Sequence, residues 1–232
     1  MSRLNSFLTT AALLIAPVLT YAQPPSPQSK DSTISVDQVS FYEVPLACPA
    51  ARGLGCGSAA KPALLSFEKK RSIQEAWLDH AGATLAIVWK IGTKADARVA
   101  DIEAVADDRG LSLREITGAR RDEALKSFAS RTGWYRGAEV DRLSEEEAGV
   151  IVGRLVHRAM LKEPTIRGKA DLLKTALTKV IREQLIGCTS TQCREDCHKK
   201  LANIARQNLN DREFRALMEA EKQGYRPVGD EQ

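Results

Sequence analysis

Apolar positions along the chain change period near residue 117, and the change divides the elements they predict. Val39, Phe41 and Tyr42 are strand formers, and Pro45 closes that strand over 39–46, where a lost donor is tolerated. Ala63, Leu64 and Phe67 then give an apolar side to a helix that follows Gly57-Ser58, with Ser58 as its expected N-cap and Pro62 in or near its first turn. Ile73 to Leu78 predicts a second strand, Asp79-His80-Ala81-Gly82 a turn, and Thr84 to Trp89 a nearly continuous apolar strand of the kind found at a sheet centre. Val99, Ile102, Val105 and Ala106 recur at helical spacing over 94–108, Gly110 supplies the stop, and Leu111, Leu113 and Ile116 predict a fourth strand.

Beyond Arg120 the pattern predicts helices alone. A short helix over 121–131 precedes Gly133-Trp134-Tyr135-Arg136-Gly137, which reads as a docking corner. Ser144 and Glu147 have capping-box spacing ahead of Val150, Ile151, Leu155 and Val156, and Pro164 breaks that helix. Leu172, Leu173, Ala176, Leu177, Val180, Ile181 and Leu185 make the stripe of the next helix, which Gly187 ends. Two further helices are expected, from Thr191 to about Leu209 and from Asp211 to Gln223.

The order β-α-β-β-α-β over 38–118 predicts an α+β fold: a ferredoxin-like split βαβ domain, with both helices on one face of an antiparallel sheet, followed by an all-α domain over 119–226 and a polar tail at 227–232. Ahead of these units, Arg3, the short apolar run Leu8–Tyr21 and Thr20-Tyr21-Ala22 read as a signal peptide over 1–22. The Pro/Ser-rich stretch 23–37 reads as a disordered linker. The expected location is periplasmic or secreted, with no transmembrane span in the mature chain.

Charge and motifs then exclude whole classes. The net charge is only +4, basic residues are mixed with acidic ones, and aromatic residues make up 5%, so a nucleic-acid partner has no support. There is no H-E-x-x-H, no G-x-S-x-G and no P-loop, and the three histidines are scattered. The chain is not expected to be an enzyme, and no residue is assigned a catalytic role.

The chemistry lies in five cysteines, an odd number that cannot all pair within one chain. Cys48 and Cys56 bracket the loop Pro49-Ala50-Ala51-Arg52-Gly53-Leu54-Gly55 between the first strand and first helix. Cys56, at a helix N-terminus, is expected to have a lowered thiol pKa. Two thiolates suit Cu(I) or Hg(II), and Zn(II) if two more ligands join them. In an oxidising compartment the same pair suits a structural disulfide, and thiol–disulfide exchange is the third use. His80 is expected to be a solvated turn residue. Cys188, Cys193 and Cys197 form a second cluster at a helix corner. A disulfide from Cys188 to Cys193 or Cys197 is one reading and a second metal site of all three thiolates the other; His198 lies about 100° around the helix from Cys197.

Residues 39–117, with two cysteines placed between the first strand and first helix, resemble the heavy-metal-associated domain of copper and mercury chaperones and metal-pumping ATPases. The spacing here is C-x7-C where that family has C-x-x-C, and Leu46 stands where the family often has Met. The resemblance implies a metal site at Cys48 and Cys56. The function expected is binding, sensing or transfer of a thiophilic metal ion by an exported protein, with the ion and an envelope protein as partners. The alternative is an envelope interaction or scaffold module stapled by disulfides and free of metal.

Overall fold

The computed structural model describes residues 35–188 and 190–229. The expected signal peptide, most of the linker and the last three residues of the tail lie outside the described residues.

Five strands make one antiparallel sheet in the order β4-β1-β3-β2-β5. They are β1 (Val39–Glu43), β2 (Ile73–Asp79), β3 (Thr84–Trp89), β4 (Arg114–Glu115) and β5 (Trp134–Arg136). β3 is central, as its apolar run predicts: Phe41 pairs with Ala86 on one side and Trp77 with Ala86 on the other. Alternation splits β3 between two faces. Leu85, Ile87 and Trp89 pack with Ala60, Leu64 and Phe67 of α1 (Gly57–Glu68) and with Ile102 and Val105 of α2 (Ala95–Arg109). Ala86 and Val88 join Val39 and Phe41 on the opposite face, beneath Phe128 of α3 (Gly118–Ala129) and Trp134. There the Phe41–Phe128 and Phe128–Trp134 ring centroids lie 5.7 and 5.0 Å apart, edge to face. Burying each large side chain fully contributes roughly 1.5–3 kcal/mol.

The remaining helices are α4 (Asp141–Lys162), α5 (Ala170–Gly187), α6 (Thr191–Asn208) and α7 (Asp211–Lys222). A 3-10 turn from Pro164 to Lys169 starts where proline ends α4. The apolar core that begins on the sheet continues through Leu143, Ile151 and Leu155 of α4, Leu173 and Leu177 of α5, Leu201 of α6 and Leu217 of α7. The described residues form one unit. Among the described residues, no helix is long and apolar enough to cross a membrane.

Three expectations are corrected. The region beyond Arg120 is not helical alone: Trp134–Arg136, read as part of a docking corner, is an edge strand, with Leu78 opposite Tyr135; three residues are too few for a period of two to register in sequence. α1 is capped at Cys56, not Ser58, because Cys56 is the last extended residue, at φ −82° and ψ 102°. Ser144 and Glu147 do not begin a helix. α4 starts at Asp141, and both side chains are buried within it. The β1–β3 and β2–β3 ladders otherwise match the predicted strands within a few residues.

Candidate functional site

The two loop cysteines are brought together by a miniature ladder. Ala47 and Gly55 form an isolated antiparallel bridge. On either side of it Cys48 N donates to Leu54 O at 2.7 Å and Cys56 N donates to Leu46 O at 2.8 Å. Opposed positions in such a ladder share a face and diagonal ones are neighbours, so Cys48 and Cys56 stand diagonally across one side of it. Gly53, at φ +73°, makes the return turn where no side-chain carbon has to fit. A second close approach pins the ladder to the β2–β3 turn: Gly55 N donates to His80 O at 2.7 Å. A Cβ on Gly82 would lie 2.6 Å from Gly55 Cα and 2.5 Å from Leu46 O.

The third participant comes from α4. Gly57, the first residue of α1, meets α4 so closely that a Cβ there would sit 2.2 Å from Ser144 Oγ and 2.8 Å from Val140 O. One turn beyond Ser144, the carboxylate of Glu147 joins the thiols. One ligand atom each of Cys48, Cys56 and Glu147 lie within 4.8 Å of one another. Cys48 and Glu147 are 6% and 4% exposed, while Cys56 is only partly buried. Among the described residues, Glu147 Oε2 has no hydrogen-bond partner.

The three groups hold unequal claims on protons. Cys56 is lowered to about 5, first because the Cys48 thiol donates to its sulfur, then against the opposing effect of burial, with help from the Ser58 hydroxyl and the Ala59 and Ser58 amides at the start of α1. Ser58 Oγ lies 3.3 Å from Cys56 Sγ. Cys48 is pushed well above the ordinary thiol range by donating to Cys56, by burial and by the carboxylate of Glu147. Glu147 is raised to about 7, chiefly by burial, with the Cys56 anion adding to the rise and the Cys48 thiol opposing it.

Glu147 was not visible as a site residue in the sequence. Its spacing from Ser144 reads as a cap, and the only contrary signal is that a helix register beginning at Asp141 turns Ser144 and Glu147 to the same side as the apolar Leu143, Ile151 and Leu155. His80 does not enter the cluster; its Nε2 lies 2.8 Å from Glu146 Oε2. His157 is exposed on α4.

The second cysteine group does not converge as a three-thiolate site. Cys188 and Cys193 are disulfide-bonded with Cα atoms 5.6 Å apart, joining the end of α5 to the start of α6. Ser190 caps α6 through Cys193 N, in place of the expected Thr191. Cys197 is a free, buried thiol whose Sγ donates to Gln184 Oε1 at 2.8 Å, and burial raises it to about 11. His198 faces Glu221 instead, at 3.2 Å.

Comparison of the chain with protein-family models, with curated proteins and with solved structures gives no match.

Proposed function

We propose that this protein binds a thiophilic metal ion through Cys48 and Cys56, and that it works outside the cytoplasm as a binding, sensing or transfer protein. The observation that carries the reading is the convergence of both sulfurs and the Glu147 carboxylate within 4.8 Å. A loop built only for a staple has no use for a buried carboxylate beside its sulfurs. The Cys188–Cys193 disulfide supports an oxidising compartment. In this reading β1 to β4, with α1 and α2, form a ferredoxin-like unit of the heavy-metal-associated kind. The antiparallel order β4-β1-β3-β2 and the placing of the cysteines between β1 and α1 support it.

The chemistry follows from the donors. Cu(I) and Hg(II) take two thiolates in a nearly linear arrangement, and Zn(II) takes four donors. Binding displaces the Cys48 proton. The partly exposed Cys56 is the sulfur on which an incoming or departing ion is exchanged with a partner. The reduced protein, titrated with Cu(I), Hg(II) and Zn(II) against competing chelators, is expected to hold one equivalent of at least one of them. The double variant Cys48→Ser/Cys56→Ser is expected to lose it. Equal binding by both proteins for all three ions overturns the proposal.

A second reading uses the same sulfurs as a dithiol–disulfide couple. It is favoured by their unequal exposure, with Cys56 at the helix start reaching solvent and Cys48 buried behind it. A reduction potential measured against glutathione tests it. A couple resistant to glutathione, in the range of structural disulfides, rejects the exchange role.

A further inference from the structure

The carboxylate on α4 narrows the choice of ion. We infer that Glu147 is an inner-sphere ligand alongside Cys48 and Cys56, and that the site takes a borderline divalent cation of the Zn(II) class, with a fourth position filled from solvent. The inference rests on the metal-binding reading above and deepens it.

Three observations carry it. The side chain of Glu147 is 96% buried and its Oε2 finds no donor among the described residues, although it comes within reach of two thiols. A buried carboxylate oxygen without a donor is costly, and buried charges are ordinarily paired or bound to metal. The ligand set is mixed: two soft sulfurs and one hard oxygen. A purely thiophilic ion such as Cu(I) is satisfied by the sulfurs and gains little from the oxygen, whereas Zn(II) accepts both kinds. The spacing also fits. With Zn–S of about 2.3 Å and Zn–O of about 2.0–2.2 Å, donors around a tetrahedral ion stand roughly 3.5–3.8 Å apart, so a cluster within 4.8 Å closes on the ion by about an ångström.

Charge points the same way. Two thiolates and a carboxylate carry three negative charges; a divalent ion leaves one of them uncompensated in this buried site, and a monovalent ion leaves two. Among the described residues, no other His, Cys, Asp or Glu belongs to the cluster, and His80 is occupied with Glu146. The fourth donor is therefore water, entering on the side of the partly exposed Cys56. An open position of this kind distinguishes an exchangeable site from a closed structural one.

The test compares the reduced full chain with Glu147→Gln and with Cys48→Ser/Cys56→Ser, using Zn(II) and Cu(I) separately in chelator competition. Glu147→Gln is expected to bind Zn(II) at least tenfold more weakly and Cu(I) within about threefold of the parent. The double cysteine variant is expected to lose both. Zn(II) affinity unchanged in Glu147→Gln, with binding still abolished by the cysteine changes, overturns the carboxylate ligand and leaves the thiol site standing. Metal binding unchanged in the cysteine variant overturns the metal-binding reading itself. X-ray absorption at the zinc edge of the loaded parent protein decides the matter without any variant having to fold. Two sulfur and two oxygen scatterers support the inference; three or four sulfur scatterers, or sulfur alone, refute it.

Discussion

Arg154 donates from Nη1 to the carbonyl oxygen of Ala50 at 2.7 Å, so the helix that supplies Glu147 also grips the loop that supplies Cys48 and Cys56. The same Nη1 reaches Tyr225 O at 2.7 Å, and Arg158, one turn on, donates to Gly224 O and Arg226 O. A single helical face thus fixes three things in one frame: the carboxylate, the cysteine loop and the segment after α7. Replacing Arg154 with Met leaves two buried or half-buried carbonyls without their donor, each costing about 1–3 kcal/mol. Urea unfolding of Arg154→Met is expected to show a loss of about 3 kcal/mol, and zinc affinity is expected to fall with it. A large stability loss with metal affinity unchanged would mean that the Ala47–Gly55 ladder holds the loop unaided.

Cys56 is expected to be the reactive thiol of the metal-free, reduced protein. Its pKa of about 5 keeps it a thiolate at neutral pH, while Cys48 stays protonated beside it. Iodoacetamide is expected to modify Cys56 with a rate that rises through a midpoint near pH 5, and to leave Cys48 and Cys197 untouched until the protein unfolds. Mass spectrometry of modified peptides across pH 4–9 checks this. A midpoint above pH 8 contradicts it.

Stability should depend on pH through Glu147 in a direction set by its raised pKa. Its folded-state value of about 7 exceeds the unfolded value of about 4.3. The contribution is therefore fully present below about pH 4.3 and is lost as pH rises through about 7. Cys56 runs the opposite way: its lowered pKa gives stability that is full above about 8.5 and lost as pH falls through about 5. Comparing metal-free Glu147→Gln with the parent isolates the carboxylate. The variant is expected to be about as stable as the parent at pH 4 and more stable at pH 8, by up to about 3 kcal/mol. A difference that does not grow with pH refutes the assignment.

Gly57 sets the distance between α1 and α4. A methyl group there meets Ser144 Oγ at 2.2 Å, Val140 O at 2.8 Å and Ser144 N at 2.9 Å, two of them backbone atoms. Gly57→Ala is expected to cost about 1–3 kcal/mol in thermal or urea unfolding and to weaken metal binding by moving Glu147 away. Gly53→Ala, at φ +73° but in open space, serves as the comparison, with an expected cost of about 1–2 kcal/mol from conformation alone and no displacement of α4.

The Cys188–Cys193 disulfide closes a short loop, so its removal is expected to cost about 2 kcal/mol. Non-reducing peptide mapping of metal-free, reductant-free protein is expected to recover the Cys188–Cys193 peptide, with Cys197 free. A Cys188–Cys197 linkage would contradict the observed corner.

The local patterns of the chain already determined most of the elements. The continuous apolar run Thr84–Trp89 fixed the central strand, Pro164 fixed the end of α4, and Gly110 the end of α2, because each acts through the backbone conformation of its own neighbourhood. The position of Cys56 at a helix start was legible for the same reason, and with it the smaller part of its acidity, that of the Ser58 and Ala59 amides; the larger part comes from the Cys48 thiol. What the sequence left open was everything that depends on distant chain segments meeting. β5 exists because the edge of β2 offers hydrogen bonds to Trp134–Arg136, not because three residues specify a strand. Cys48 and Cys56 meet through a ladder that Gly55 and His80 complete. Glu147 has the spacing of a cap and is a buried carboxylate, because the packing of Gly57 against Ser144 and the bond from Arg154 to Ala50 carry α4 to the sulfurs. Hydrophobic spacing records which side of a helix is buried; which groups that side then touches is set by the tertiary packing of residues far apart in the chain.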